Sequence, residues 1–191
     1  IYFMKKNNTA GLSIGVLKAS FDVEKPFDHI YKFGDAQKFP QITIKESTVF
    51  RLGRASHLFL GILFAKALSE NKIKLQDKAS KYLPKSIVLP SYHGEDITLE
   101  HLAFHLSSLP DQPTTILKRY QVSSQEINTY LKTYKLPKKP GTVFTESDLG
   151  YSLLALALEK TYKDHIDRIY SESLFKPLNM TMTSLKERKE H

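Results

Sequence analysis

The sequence predicts an α+β fold in which two or three N-terminal strands precede a region built mainly of helices. Residues 11–18 alternate apolar and polar side chains often enough to form a half-buried strand. Residues 50–68 carry apolar side chains around nearly the whole circumference of a helix. The chain has 191 residues, 41% of them hydrophobic, so it is long enough to bury a core. Its length predicts one domain, residues 1–191.

The predicted strands belong to the N-terminal part of the chain, residues 1–48. Residues 11–18 and 30–35 are expected to pair as antiparallel strands across a polar connection. A short extended piece, residues 41–44, then leads into the helical region, which we place at residues 49–191.

The first long helix is predicted to begin after Gly53 and to end near Asn71, a residue that tolerates the left-handed conformation common at helix C-termini. Its apolar residues predict that neighbouring elements enclose it on all sides. Arg54 and His57 nevertheless lie one turn apart on one face at its start. The first turn must therefore open onto a polar cavity, and this is where chemistry is expected.

Capping signals and apolar patterns place the remaining helices. Thr98 is a predicted N-cap, and Ser123 with Glu126 has the spacing of a capping box. The helices expected from these signals cover residues 77–83, 99–105, 124–134, 149–162 and 164–174.

Charge and composition exclude several classes of function. The chain has 28 basic and 20 acidic residues, a net charge of +8, but no glycine-rich loop or nucleic-acid motif beside its lysines. We therefore predict a solvated basic surface and no nucleic-acid partner. The chain has no cysteine, which excludes disulfides, thiolate nucleophiles and cysteine-bound metals. The first long apolar run is interrupted by Lys66 and is shorter than the about 20 residues that span a bilayer, so no transmembrane segment is predicted.

Several stretches resemble the penicillin-recognising serine hydrolases, a superfamily of class C β-lactamases, D-alanyl-D-alanine carboxypeptidases and related esterases. The resemblance runs from about Gly11 to the C-terminus. The stretches agree in order and spacing, and they are residues 48–59, 75–84, 97–110, 140–151 and 175–180.

The resemblance implies a β-lactamase/transpeptidase-like fold, of which this chain holds mostly the helical portion and the N-terminal strands. In the family, strands that follow the helices complete the sheet, and this chain ends before them. We therefore expect a truncated domain or a partner segment that completes the sheet. The resemblance also implies an extracytoplasmic location and a peptide, ester or cell-wall-type ligand.

The family's catalytic motifs fall on residues of a different chemical kind. The mechanism that the resemblance implies uses a Ser activated by a Lys three residues later and by the Tyr of a Tyr-x-Asn motif. Arg54 stands at the Ser position, His57 at the Lys position, and Glu146, Ser147 and Asp148 replace Tyr-x-Asn. No catalytic residue is therefore intact. We predict instead an ion-paired cluster, with Arg54 bound to Glu146 or Asp148 and His57 to the other.

Two other interpretations of these residues are weaker. A metal site made of His57, Glu146 and Asp148 is disfavoured because Arg54 would repel the cation. The second interpretation is a general acid/base pair, made by His57 and a carboxylate, that would catalyse a different hydrolysis. No metal or other cofactor is predicted.

Some residues with catalytic potential are predicted to be structural. His101 and His105 lie on a short amphipathic helix and are expected to pack rather than to catalyse. Literal Ser-x-x-Lys matches at residues 69–72 and 173–176 lack the surrounding motif and are interpreted as chance.

The leading hypothesis is a catalytically inactive β-lactamase-related domain that acts by binding or assembly. The alternative is an active serine hydrolase, whether β-lactamase, D-alanyl-D-alanine carboxypeptidase or esterase, whose nucleophile the sequence does not reveal. An altered or truncated form of such an enzyme is the third interpretation.

Overall fold

The computed structural model describes residues 4, 6, 9–18, 27–112 and 123–185. The described residues divide into two compact units, one made of residues up to Arg51 and the other of residues from Leu52 onward. The α+β class predicted from the sequence is confirmed, because three strands come before the helices.

The first unit contains an antiparallel sheet with the strand order β1-β2-β3. The strands are β1, Gly11–Lys18, β2, Phe27–Gln37, and β3, Ile42–Thr43. The predicted pairing of the first two strands is confirmed, with Gly11 opposite Gly34, and β2 extends beyond residues 30–35 at both ends. The polar connection predicted between them falls largely on residues 19–26, outside the described residues.

The long helix of the second unit, α1, covers Ser56–Ser69 and follows a 3₁₀ turn at Gly53–Ala55. Gly53 has φ 55°, a left-handed conformation that costs glycine little and lets the chain turn directly into the helix. At the other end Asn71 has φ 54°, and the amide of Lys72 donates to the carbonyl of Ala67. The predicted start and end of this helix are therefore confirmed.

The prediction that α1 is enclosed on all sides is wrong within this unit. Leu60, Leu63 and Phe64 are buried, but Leu58 and Ile62 are 68% and 42% exposed. Leu58 and Ile62 are four residues apart and share one helix face, away from the elements that pack on α1. Apolar patterning could not show that only one side of the helix would meet a neighbour in this unit.

The remaining helices agree with the sequence in position and differ in length. The helices are α2, Leu99–Ala103, α3, Ser124–Thr133, α4, Asp148–Tyr162, and α5, Ile166–Tyr170. Thr98 caps α2 and Ser123 caps α3, each within a capping box, as predicted.

Three predicted helices need correction. The helix predicted over 77–83 is a 3₁₀ turn, Ala79–Tyr82. The helix predicted over 99–105 ends earlier because His105 adopts φ 58°. The helix predicted over 164–174 is α5 followed by the π-helical turn Ser171–Phe175, in which the amide of Lys176 donates to the carbonyl of Ser171.

Helix α4 is the hub of the second unit, since α1, α2, α5 and the Ala79–Tyr82 turn all pack against it. Leu153 and Leu154 are fully inaccessible to solvent in its middle. Leucine and isoleucine side chains from the surrounding elements complete one continuous core. Among the described residues, none of the helices combines the length and the apolar character that crossing a bilayer requires.

Candidate functional site

Arg54 lies in the 3₁₀ turn before α1, and its guanidinium contacts three carboxylates. Its Nη1 donates to Oε2 of Glu146, and its Nη2 donates to Oδ2 of Asp111. Its Nε lies 3.4 Å from Oδ1 of Asp148. The predicted pairing of Arg54 with Glu146 or Asp148 is thus confirmed. Asp111 is a further partner that the sequence did not reveal.

Hydrogen bonds from two main-chain amides and from the side chain of Gln112 hold the Asp111 loop against the start of α4. The amide of Leu149 donates to the carbonyl of Asp111 over 3.1 Å. The amide of Asp148 lies 3.3 Å from Oδ1 of Asp111. The side chain of Gln112 donates to Oδ2 of Asp148 over 2.8 Å. The backbone therefore positions these carboxylates, and Arg54 supplies the cation between them.

Ser147, the N-cap of α4, strengthens this junction. Its Oγ accepts the amide of Gly150 and donates to the carbonyl of Pro110, both over 2.8 Å. Its side chain is buried, so the two hydrogen bonds satisfy polar groups that water does not reach. Ser147 therefore links the loop that carries Asp111 to the helix that carries Asp148.

His57 belongs to the same site, as predicted. Its Nε2 lies 3.5 Å from Oδ1 of Asp148, beyond the usual length of a hydrogen bond. Its ring stacks on Tyr151, with 4.1 Å between the ring centroids, and Tyr151 also stacks on His105 at 4.6 Å. Tyr151 and His105 therefore form an aromatic wall beside the ion pairs.

The two remaining histidines of the predicted motifs accept hydrogen bonds from the backbone. Nδ1 of His105 accepts the amide of Ser147 over 3.1 Å, and Nδ1 of His101 accepts the amide of Thr98 over 3.2 Å. Burial lowers the pKa of both rings, and the neighbouring His57 lowers that of His105 further. Both side chains therefore have the packing role that the sequence suggested.

The charge of the site is dominated by the carboxylates around Arg54. The hydrogen bond to Asp111 is the main cause that raises the pKa of Arg54, and the field of Asp148 adds to it. Arg54 therefore stays protonated. Three carboxylates face this one cation, so the cluster carries an excess of negative charge.

The serines nearest this cluster in sequence are bound to main-chain carbonyls. Oγ of Ser56 donates to the carbonyl of Gly53 over 2.8 Å, as Oγ of Ser147 does to Pro110. A hydroxyl that donates its hydrogen bond to a carbonyl is not activated by a base. In each of the two literal Ser-x-x-Lys matches the lysine forms an ion pair with an acid. Lys72 binds Glu70, and Lys176 binds Glu172.

Metal binding was a weaker interpretation of the same residues. Within residues 27–112, 123–185 and the shorter described segments, no group of three or more histidine, aspartate and glutamate side chains is arranged to hold an ion. His57, Glu146 and Asp148 are engaged with Arg54 or with one another instead.

The comparisons with known proteins identify the family of the chain. The family model described as Beta-lactamase matches residues 3–191. The chain belongs to the β-lactamase family. Its relatives include the D-alanyl-D-alanine-carboxypeptidase/endopeptidase AmpH of Escherichia coli, 30% identical over 156 residues, which are 80% of this chain and 40% of AmpH. Protein flp of Staphylococcus aureus is 25% identical over 187 residues, 96% of this chain and 36% of that protein.

Solved structures show the same fold. A β-lactamase/D-alanine carboxypeptidase from Yersinia pestis, complexed with citrate, superposes with a TM-score of 0.84 at 26% identity over 98% of this chain. A class C β-lactamase superposes with a TM-score of 0.80 at 24% identity, a likeness of fold alone. The predicted β-lactamase/transpeptidase-like fold is confirmed. The chain spans about half the length of these β-lactamase structures, 53% and 49%.

Two residues of the site escaped the sequence reasoning. Asp111 follows directly after one of the stretches that resemble the family, residues 97–110. An acidic residue beside that stretch was the only indication in the sequence of a further partner for Arg54. Tyr151 closes another such stretch, residues 140–151, but nothing in the sequence indicated its stacking. The four residues predicted from the motifs, Arg54, His57, Glu146 and Asp148, do come together.

Replacing Arg54 with methionine should lower the melting temperature at pH 7, because three carboxylates would then face one another without a cation. Thermal unfolding followed by circular dichroism measures this.

The matched control is Arg168→Met, which removes an exposed arginine paired with Asp164 at 3.6 Å. This variant should unfold close to the wild-type temperature at pH 7. An Arg54→Met variant as stable as wild type at pH 7 would contradict the stabilising role assigned to the cluster.

Proposed function

We propose that this β-lactamase-family domain does not acylate and acts by binding or assembly. The observation that carries the proposal is the Arg54 guanidinium, bound by carboxylates before the first turn of α1. The resemblance assigns this position to the nucleophilic serine. A guanidinium is protonated at physiological pH and has no hydroxyl that could attack a carbonyl carbon.

The charge around Arg54 also opposes the family's chemistry. Acyl transfer develops negative charge on the carbonyl oxygen, and an enzyme stabilises it with hydrogen-bond donors and positive charge. Here the donors of Arg54 are taken by Asp111 and Glu146. The excess of carboxylates would repel the developing oxyanion. Restoring a nucleophile alone would therefore leave an unfavourable environment for the reaction.

The ligand that we propose is peptide-, ester- or cell-wall-like, and the location extracytoplasmic. AmpH, with 30% identity, is named a D-alanyl-D-alanine-carboxypeptidase/endopeptidase, which supports a peptide-like ligand. Assembly is supported by β1, a strand of eight residues that lies at the edge of the sheet among the described strands and there offers one row of backbone groups to a further strand. A partner segment that pairs with this edge would extend the sheet.

Covalent labelling tests the absence of acylation. The chain is incubated with a fluorescent penicillin and, separately, with an activated ester, and its intact mass is then measured. We expect no added mass and no turnover of a chromogenic cephalosporin, because Arg54 cannot form an acyl bond. An active class C β-lactamase, treated in parallel, shows that the reagents are competent.

An acyl adduct mapped to any serine of the folded chain would overturn the proposal. Such a result would favour the alternative of a serine hydrolase with another nucleophile. Circular dichroism before and after incubation shows that the labelled material is folded.

A further inference from the structure

The second unit contains a cavity of about 410 Å³ that shares no residue with the Arg54 cluster. One wall is the segment 88–93, and the other is the end of α3 with the residues that follow it, 131–136. Its volume falls within the range of about 300–1,000 Å³ that is usual for small-molecule sites. The β-lactamase resemblance assigns no role to this region.

Apolar side chains form the larger part of the cavity surface. Leu131 and Leu136 belong to the buried core, and Leu89, Tyr92 and Tyr134 pack against that core while remaining partly accessible. These side chains supply an apolar surface that a ligand can reach. Burying such a surface gains about 25 cal/mol for each Å² removed from water.

The walls of the cavity are fixed by hydrogen bonds. The amide of Val88 donates to Oδ1 of Asn128 over 3.0 Å, which ties the first wall to α3. The hydroxyl of Tyr134 lies 3.4 Å from the carbonyl of Ser108, and its ring stacks on Tyr130. The cavity is therefore formed before any ligand binds, which reduces the ordering cost of binding.

The rim of the cavity is positively charged. Lys132 and Lys135 line it and are exposed, and in the part of the chain that the structure describes neither ammonium group pairs with a carboxylate. Glu95 forms an isolated β-bridge with Tyr92, and its carboxylate forms an ion pair with Lys139 at 2.8 Å. His93 lies on the same rim. The positive charge at this opening is thus left without a counterion from these residues.

We propose that this cavity binds a free small molecule with an apolar, ring-sized body and a single anionic group. The body fits the surface made by Leu89, Tyr92 and Tyr134, and the anion lies between Lys132 and Lys135. A neutral molecule of the same shape gains only the apolar part of this interaction. The inference does not depend on whether the Arg54 site is catalytic.

The test uses a matched pair of probes. 1-Anilinonaphthalene-8-sulfonate carries aromatic rings and one sulfonate, and N-phenyl-1-naphthylamine carries the same rings without charge. In Lys132→Gln/Lys135→Gln the dissociation constant of the sulfonate probe should rise about fivefold, as expected for two partly exposed charge contacts. Its affinity for wild type should fall as salt is added. The neutral probe should bind both proteins within about twofold, because its contacts are apolar.

Two further variants locate the effect. Lys74→Gln/Lys163→Gln removes the same charge from exposed lysines that do not line the cavity, and it should bind the sulfonate probe as wild type does. Val88→Glu places a carboxylate on the exposed part of the lining and should weaken that probe further. Melting by circular dichroism confirms that each variant is folded at the titration temperature.

Two results would overturn the proposal. One is an unchanged dissociation constant for the sulfonate probe in folded Lys132→Gln/Lys135→Gln. The other is an equal loss in Lys74→Gln/Lys163→Gln, which would assign the effect to net charge alone.

Discussion

Replacing Leu63 with alanine should lower the free energy of unfolding by about 2–5 kcal/mol. Leu63 lies in the middle of α1 with no exposed surface, and α1 packs there against α4. The substitution removes apolar contacts and leaves a cavity that rigid neighbours fill only in part. Since the chain has no tryptophan, urea unfolding is followed by far-UV circular dichroism.

The matched control is Leu58→Ala on the exposed face of the same helix. Leu58 and Leu63 lose the same atoms and belong to the same element, so helix propensity changes equally in both. The control should change stability by about 0.5 kcal/mol or less, as exposed substitutions usually do. Equal losses in the two variants would contradict the burial that separates the two faces of α1.

Replacing Ser147 with alanine should lower the free energy of unfolding by about 2–4 kcal/mol. The loss of an N-cap costs about 1 kcal/mol, and a buried group left without its partner adds about 1–3 kcal/mol. Both apply here, because Oγ of Ser147 caps Gly150 and binds the carbonyl of Pro110. Urea unfolding measures the change, and Arg54 should lose much of its contact with the displaced Asp111 loop.

Ser152→Ala is the matched control within the same helix. Its hydroxyl is exposed and donates to the carbonyl of Asp148 one turn earlier, which contributes little to a helix. The change in stability should stay within about 0.5 kcal/mol. If the two serine variants were equally stable, Ser147 would not hold the loop to α4.

The motifs predicted the centre of the candidate site well. The family resemblance aligned residue 54 with the start of the first long helix and residues 146–148 with the start of the next long one. Opposite charges at those two positions then implied an ion pair between Arg54 and Glu146, and this pair is present. Here the sequence contained both the position and the chemistry of each partner.

Asp111 was not predicted because its position depends on the path of a loop. The loop is closed by the amide of Leu149 and by Ser147, and both contacts form only when the chain is folded. No periodicity or spacing in the sequence records such a closure. The same holds for His105, which leaves helical geometry while its ring stacks on Tyr151 and its Nδ1 accepts the Ser147 amide.

Apolar patterning predicted the helices better than their surroundings. It predicted both ends of α1 within a few residues, because a Gly before an apolar run and an Asn after it mark the start and the end of a helix. It could not tell that Leu58 and Ile62 would stay exposed while Leu63 is buried.

The sharing of one guanidinium among three carboxylates makes the order of substitutions matter. A variant with serine at residue 54 alone would hold three facing acids and no counterion. A variant in which Asp111, Glu146 and Asp148 are exchanged first leaves only an arginine that is 46% exposed and can be hydrated. The effect of Arg54→Ser on stability should therefore depend on which of the three acids are still present.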